Sequence, residues 1–167
     1  MDQSRFADEA CARAQSMIRG GSSRVEILTH LATAAERAVR PGSAASILVL
    51  DEEGLLRNGA SPNIPADYLD KIDRLKPRAD LGTCASAAAT GEMVITPDFR
   101  ADAKWAELRH LPLSLGYNGA WSTPIKAKDG RVLGTFGIYL RDVGEPTVEE
   151  RDAVHALAGV AATALGA

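Results

Sequence analysis

Residues 132–141 constrain the fold more than any other stretch of this 167-residue chain. Side chains at alternate positions of a strand point to opposite faces of a sheet. Here both alternating sets are largely apolar. Because a strand with two apolar faces must be covered on both sides, we predict that it lies at the centre of a layered sheet. The chain length suits one domain with a sizeable core.

Four more strands are predicted around this central one. Residues 45–50 and 55–60 flank a cluster of turn residues and are typical of a hairpin, and residues 93–96 and 121–127 add two strands. Hairpin connections favour antiparallel pairing. We therefore predict an α/β (α+β) sandwich, in which an antiparallel sheet of five to six strands carries helices on both faces.

Three long helices are predicted from apolar residues at helical spacing. They cover residues 2–19, the segment after a capping box at Ser23 and Glu26, and the segment that begins at Thr147. Their apolar stripes are the longest, so we expect them to share one face of the sheet. Shorter helices are predicted over residues 66–72, 83–90 and 103–111, with Thr83 as a cap of the second and Pro112 ending or kinking the third. These should cover the opposite face.

Composition excludes several classes of function. The net charge is −3 and no segment is strongly basic, so we expect no nucleic-acid partner. The longest apolar runs fall well short of the roughly 20 residues that span a membrane, and the acidic N-terminus lacks a signal-peptide core. The two cysteines, Cys11 and Cys84, fit no metal spacing and are typical of a reducing compartment. We therefore expect a cytoplasmic protein without a metal site.

Several short motifs together resemble the core pattern of GAF domains, which are small-molecule sensory modules of bacterial signalling proteins. The resemblance extends from about residue 25 to the C-terminus. Its motifs lie at residues 81–88, 90–91, 94–95, 97–98, 105, 116, 120–125, 130–136 and 146–147. The sequence departs from the pattern at Ala85, where relatives usually carry glycine, and at Ala120, where many carry cysteine.

The resemblance implies a GAF/profilin-like fold with a ligand pocket between the sheet and the short helices. It divides the chain into a signalling and dimerisation helix at residues 1–21 and a GAF domain at residues 22–167. The implied function is non-catalytic binding of an unidentified small molecule. The signal would pass through a homodimer formed by the terminal helices, residues 2–19 and 147–165, to an output domain or protein.

Most candidate ligand contacts lie in residues 81–121. We expect an apolar pocket with a few polar groups, and the candidate contacts are Cys84, Asp98, Trp105, Arg109, Tyr117, Asn118, Trp121, Ser122 and Thr135. Cys84 begins a predicted helix, whose dipole would lower the pKa of its thiol. Each candidate also has a structural interpretation: Cys84 as a small buried apolar residue, the tryptophans as core anchors, Asp98 as a turn residue and Arg109 as a solvated charge.

Two other functions stay open. The chain would be a protein–protein dimerisation module if its pocket is vestigial. It would be a thiol redox enzyme if Cys84 acts as in the free-methionine-R-sulfoxide reductases, which are GAF enzymes that use several cysteines. Cys11 lies outside the region of resemblance, so a resolving thiol is missing from the motif. A haem would need an axial histidine, and His110 is the histidine in the right region.

Overall fold

The computed structural model describes residues 3–166, so the predicted helix start at Asp2 lies outside the described residues. The strands are β1 (Ala44–Leu50), β2 (Leu56–Ala60), β3 (Val94–Thr96), β4 (Gly119–Lys126) and β5 (Val132–Leu140). The helices are α1 (Gln3–Arg19), α2 (Arg24–Ala38), α3 (Ala66–Ile72), α4 (Cys84–Thr90), α5 (His110–Ser114) and α6 (Val148–Gly166). A short 3-10 turn spans Ala103–Trp105.

The sheet is antiparallel, and β5 lies at its centre, as predicted from its two apolar faces. The strand order is β2-β1-β5-β4-β3. Gly137 on β5 stands opposite Ser46 of β1 and Ser122 of β4, so these three residues form one row across the sheet. This register fixes which side chains share a face.

The three long helices cover one face of the sheet, which we call the helix face. α2 and α6 lie on the strands, and α1 packs across α2 and α6. The shared core contains fully buried strand residues such as Phe136 and Ile138 and helix residues such as Leu31 and Leu157. Each such side chain contributes roughly 1.5–3 kcal/mol when buried, so this layer holds most of the apolar stabilisation.

The start of α6 is tied to the end of α2 by a buried ion pair. The Glu150 carboxylate accepts hydrogen bonds from the backbone N–H of Arg40 (2.9 Å), from Arg40 Nε (3.1 Å) and from the backbone N–H of Thr147 (2.9 Å). Burial would raise the pKa of Glu150, but these hydrogen bonds outweigh it and lower the pKa to about 2. Thr147 and Glu150 also form a capping box at the start of α6.

The opposite face is covered by α3, α4, the 3-10 turn and α5, which we call the roof. The predicted continuous helix over residues 103–111 is wrong: Ala103–Trp105 forms a 3-10 turn, and α5 begins only at His110. Pro112 does not end a helix but lies within α5. It is the third residue of that helix, where its missing N–H costs no helical hydrogen bond. The roof is therefore built of short pieces rather than long helices.

In the described part of the chain, no helix combines the length and the apolar character needed to cross a membrane.

Candidate functional site

A small cavity of about 30 Å³ lies between the sheet and the roof. Strand residues form its floor, and residues of α3, α4 and the 3-10 turn form its walls. Its lining residues are Leu48, Tyr68, Ile72, Leu75, Gly82, Thr83, Cys84, Ala85, Trp105, Leu108, Ala120, Trp121, Gly137, Ile138 and Tyr139. None of these carries a formal charge at neutral pH, so the cavity suits an uncharged occupant.

The size of this cavity limits what it admits without movement. A volume of about 30 Å³ is close to the share of one water molecule in the liquid. Organic ligands usually occupy pockets of roughly 300–1,000 Å³. A molecule of more than a few atoms therefore needs the roof to shift away from the sheet.

Cys84 lies at the first turn of α4 and points its sulfur at the floor. A Cβ atom added to Gly137 would lie only 2.8 Å from Cys84 Sγ, so glycine is what lets the thiol reach the strand. Burial raises the pKa of the Cys84 thiol, although the nearby Ser122 and Thr135 hydroxyls act in the opposite direction. The predicted lowering of this pKa is wrong, because desolvation outweighs the dipole of a seven-residue helix.

Two buried hydroxyls lie beside that thiol. Ser122 and Thr135 are both fully buried, and the oxygen of neither meets the geometry of a hydrogen bond with any described residue. They do not border the cavity themselves but lie beside Cys84, which does. A buried hydroxyl without a partner costs about 1–3 kcal/mol, and the Cys84 sulfur beside these two is only a weak acceptor, so this corner of the floor is incompletely compensated.

A second polar cluster joins the roof to the edge strand β3. Trp105 Nε1 donates to Thr83 Oγ1 (2.8 Å), and Thr83 Oγ1 lies 2.8 Å from Thr96 Oγ1. Thr96 in turn donates to Asp102 Oδ2 (2.9 Å), and Lys104 Nζ also binds this carboxylate (3.0 Å). The Thr96 proton is already used, so Thr83 must donate to Thr96. Thr83 occupies the N-cap position of α4, as predicted, but its side chain makes no capping hydrogen bond and instead anchors Trp105.

Two tyrosines form the third polar feature of the cavity. Tyr68 of α3 donates its hydroxyl to Tyr139 of β5 at 2.8 Å, and both side chains are buried. Burial raises the pKa of both hydroxyls well above the ordinary value. Both therefore stay neutral and available for hydrogen bonding at any physiological pH.

The structure brings only part of the predicted ligand set together. Cys84, Trp105 and Trp121 border the cavity, although the Trp121 ring belongs to the core of the helix face. Ser122 and Thr135 lie beside Cys84 and do not border the cavity. The other four predicted contacts, Asp98, Arg109, Tyr117 and Asn118, do not border it.

Those four residues have structural contacts instead. Asp98 accepts from the backbone N–H of Arg100 (2.9 Å) in the turn after β3, as its structural interpretation had it. Arg109 donates to the carbonyl of Arg100 at 2.7 Å. Asn118 donates to the carbonyl of Arg141 at 2.7 Å.

Tyr117 packs against the ring of Tyr139 and lies under the Arg141 guanidinium, 4.4 Å from its ring centre. These contacts belong to the support of the roof rather than to the cavity wall.

The histidine considered for haem is placed outside the cavity. His110 is exposed at the start of α5 and does not line the cavity. Within residues 3–166, no group of three or more His, Cys, Asp or Glu side chains is placed to hold a metal ion.

Sequence reasoning missed Thr83 with Thr96 and Tyr68 with Tyr139 as polar pairs. The first pair is 13 residues apart and the second 71, so no local pattern reveals them. One signal was present: a tyrosine in a strand that is apolar on both faces needs a hydrogen-bond partner for its hydroxyl.

Comparison with known proteins decides the family. The sequence model described as GAF domain matches residues 21–166. The chain belongs to the GAF domain family. This GAF domain is 33% identical over 153 residues to the methyl sulfide methyltransferase-associated sensor of Methanosarcina acetivorans. The match covers 89% of the chain but only 15% of that relative, so the chain spans a small part of the relative's length.

Solved structures agree on the fold. The GAF domain of a phosphoenolpyruvate-protein phosphotransferase from Coxiella burnetii superposes with a TM-score of 0.80 at 16% identity, covering 99% of this chain and 94% of that one. The reduced form of fRMsr from Staphylococcus aureus gives a TM-score of 0.77 at 11% identity, covering 99% and 96%. At these identities the likeness shows the fold alone, which confirms the predicted α+β sandwich.

Proposed function

We propose that this GAF domain is a non-catalytic sensory module that binds a compact, uncharged small molecule between the sheet and the roof. The family and the relative named as a sensor support the sensory part. The observation that carries the binding part is the pair of buried hydroxyls, Ser122 and Thr135, beside which the weakly accepting Cys84 sulfur is the partner in the described part of the chain. A ligand that accepts hydrogen bonds would remove this cost. We propose that rotation of the Cys84 side chain exposes both hydroxyls to such a ligand.

Binding requires a shift of the roof, because the cavity is small. The roof helices α3, α4 and α5 have only seven, seven and five residues. Such short helices depend on tertiary contacts rather than on their own stability. We therefore propose that an open state of the roof is populated at low level and that the ligand selects it.

The sheet connects this movement to the long helices. Trp121 and Ile138 border the cavity and also belong to the core shared with α1, α2 and α6. A change at the floor therefore alters the packing of the terminal helices. We propose that α1 and α6 form a homodimer interface and that an output domain or protein reads their arrangement, as in a cytoplasmic signalling protein. A monomer in sedimentation at high protein concentration would contradict the dimer.

The location of the thiols supports a non-catalytic role. Cys11 packs with the helix-face core and Cys84 with a separate cluster on the roof side. Both are free, and burial raises the pKa of each thiol. Both thiols therefore stay protonated, and they lie on opposite sides of the sheet. A thiol redox cycle needs a thiolate and a second thiol within reach of it, so this arrangement does not favour one.

Native mass spectrometry of the full chain tests the proposal. Purified protein is measured folded and then denatured, and its melting temperature is followed across a panel of uncharged compounds with few heavy atoms. We expect either a mass excess in the folded state or a rise in melting temperature for some compound. The Thr135→Val variant should lose that response, whereas Cys84→Ser should keep it. Loss of a measurable activity in Cys84→Ser would instead favour the redox enzyme.

A second function is favoured by one observation, the small volume of the cavity. A pocket of about 30 Å³ is also what a protein–protein dimerisation module with a filled, vestigial pocket would have. Under that function, neither a mass excess nor a thermal shift appears with any compound, while the dimer persists.

A further inference from the structure

A much larger concavity lies on the helix face, away from the roof. It is a groove of about 540 Å³ between α6 and the edge of the sheet formed by β3 and β4. Thr123 and Pro124 of β4 form its floor, Met93 one end, and Ala158, Gly159 and Ala162 of α6 one wall. Its volume falls within the range of small-molecule sites, so the size alone does not require any movement.

The glycine in this wall has no packing reason within the chain. Gly159 lies in the interior of α6, where glycine costs about 1 kcal/mol relative to alanine. A Cβ atom added there would meet no atom within 4 Å. The neighbours Ala158 and Ala162 are also small, so the helix backbone is left open to the groove. A bound molecule can therefore approach the backbone of α6 closely at Gly159.

The groove also holds cations that no described carboxylate neutralises. Arg151 of α6 is half-buried, forms no ion pair, and its buried Nε lacks a hydrogen-bond partner among residues 3–166. Lys126 lies across Gly91, with Nζ 3.8 Å from the Cβ position of that glycine, and forms no ion pair either. A guanidinium prefers a planar anion that accepts two hydrogen bonds.

Other titratable groups lie on the rim. Glu92, Asp152 and His155 border the groove and are exposed, whereas Arg151 is the one charged lining residue that is half-buried. Interactions of a half-buried charge are screened less than those of exposed charges. We therefore expect the half-buried charge of Arg151 to attract an anionic ligand more strongly than the exposed carboxylates of Glu92 and Asp152 repel it.

We propose that this groove is a second ligand site, which takes a small molecule with one carboxylate and an apolar body. The carboxylate pairs with Arg151, with Lys126 as the outer cation. The apolar body lies over Met93, Pro124 and the open backbone at Gly159. The site is independent of the cavity under the roof and uses the same helix, α6, that we propose as an output element.

Calorimetric titration of the full chain with hexanoate tests this site. Saturable binding is expected, with no binding of hexanol or hexylamine. Arg151→Gln should weaken the affinity by about tenfold or more, since it removes the charge from the hydrogen-bonded pair. Gly159→Leu should abolish binding by filling the groove. That substitution meets open space and improves helix propensity, so the variant should fold.

The matched control is Thr163→Leu, which places the same side chain on the exposed surface one turn further along α6. It should leave hexanoate binding unchanged. Absence of saturable binding to the wild-type chain, equal binding by Arg151→Gln, or equal loss in Thr163→Leu would overturn the proposal. Inorganic phosphate that competes as well as hexanoate would overturn the carboxylate assignment. The Thr135→Val variant should bind hexanoate normally, which separates this site from the cavity under the roof.

Discussion

The two faces of the sheet are built in opposite ways. The helix face carries long helices over a core of large aliphatic and aromatic side chains, such as Phe136 and Leu157. The roof face carries short helices over buried polar groups, such as Thr83, Thr96 and Ser122. Apolar burial gives stability without direction, whereas buried hydrogen bonds are costly unless every partner is present. We therefore expect the helix face to supply most of the stability and the roof face to be the one that can move.

The largest expected effect comes from truncating one buried phenylalanine on each face of the sheet, which compares the rigidity of the two faces. Phe136 on the helix face and Phe99 on the roof face are both fully buried. Phe136→Ala should lower the free energy of unfolding by about 4 kcal/mol, because long helices cannot close the void. Phe99→Ala should cost clearly less, since the short roof segments can relax into the space. Urea denaturation measures both losses, and equal losses would contradict a difference in rigidity between the two faces.

The next effect concerns Glu150, whose buried carboxylate fastens the start of α6. Its pKa in the folded protein is about 2, below the ordinary value of 4.5. The ionised form therefore stabilises the fold above pH 4.5, and this stabilisation is lost as the pH falls from 4.5 towards 2. The gap between the two pKa values corresponds to about 3 kcal/mol.

Glu150→Gln should remove about that amount at pH 7 and flatten the acid limb of the stability profile. The control is Glu149→Gln, which changes an exposed neighbour without an ion pair among the described residues. Chemical denaturation from pH 2 to pH 7 measures both variants. An unchanged acid limb in Glu150→Gln would contradict the role given to this carboxylate.

A smaller loss of stability is expected when the hydrogen bonds that join the roof to β3 are broken. Thr96 donates to Asp102 and lies 2.8 Å from the Thr83 hydroxyl, so Thr96→Val breaks two hydrogen bonds without changing the shape of the side chain. We expect a loss of about 2 kcal/mol, since buried partners are left unpaired. Thermal and urea denaturation measure the loss, and tryptophan fluorescence reports the release of Trp105. A loss of only a few tenths of a kcal/mol would contradict the conclusion that these hydrogen bonds anchor Trp105.

The smallest effect has the opposite sign. Thr135 is as buried as Thr96, but its hydroxyl lies beside the Cys84 sulfur, which is only a weak acceptor, and makes no hydrogen bond of good geometry with the described residues. Thr135→Val should therefore raise the free energy of unfolding by about 1 kcal/mol in the absence of ligand. The same denaturation curves measure the gain. Destabilisation by both threonine substitutions would show that the Thr135 hydroxyl is satisfied and that the floor carries no unmet polar group.

The parts of the fold that follow local rules were predictable from the sequence. Two apolar faces placed β5 at the centre, and apolar stripes assigned the long helices to one side. Prediction failed where distant contacts decide the structure. Thr83 has the residue type of a cap, but Thr96 and Trp105 take its hydroxyl.

The candidate site was less predictable for the same reason. Asp98, Arg109 and Asn118 lie near the right segment in sequence, but the turns around them consume their hydrogen bonds. The groove on α6 was not predictable from the sequence. An apolar stripe shows which residues face the core, but it does not show where a glycine leaves the backbone open.

Native-state hydrogen exchange of the full chain tests the contrast between the two faces most directly. We expect amides of α3, α4 and α5 to exchange through local openings whose free energy is at least about 2 kcal/mol below that of global unfolding. Amides of α2 and α6 should exchange only at the global value. Roof amides that exchange with the same free energy as those of α2 would contradict a roof that opens over a fixed helix face.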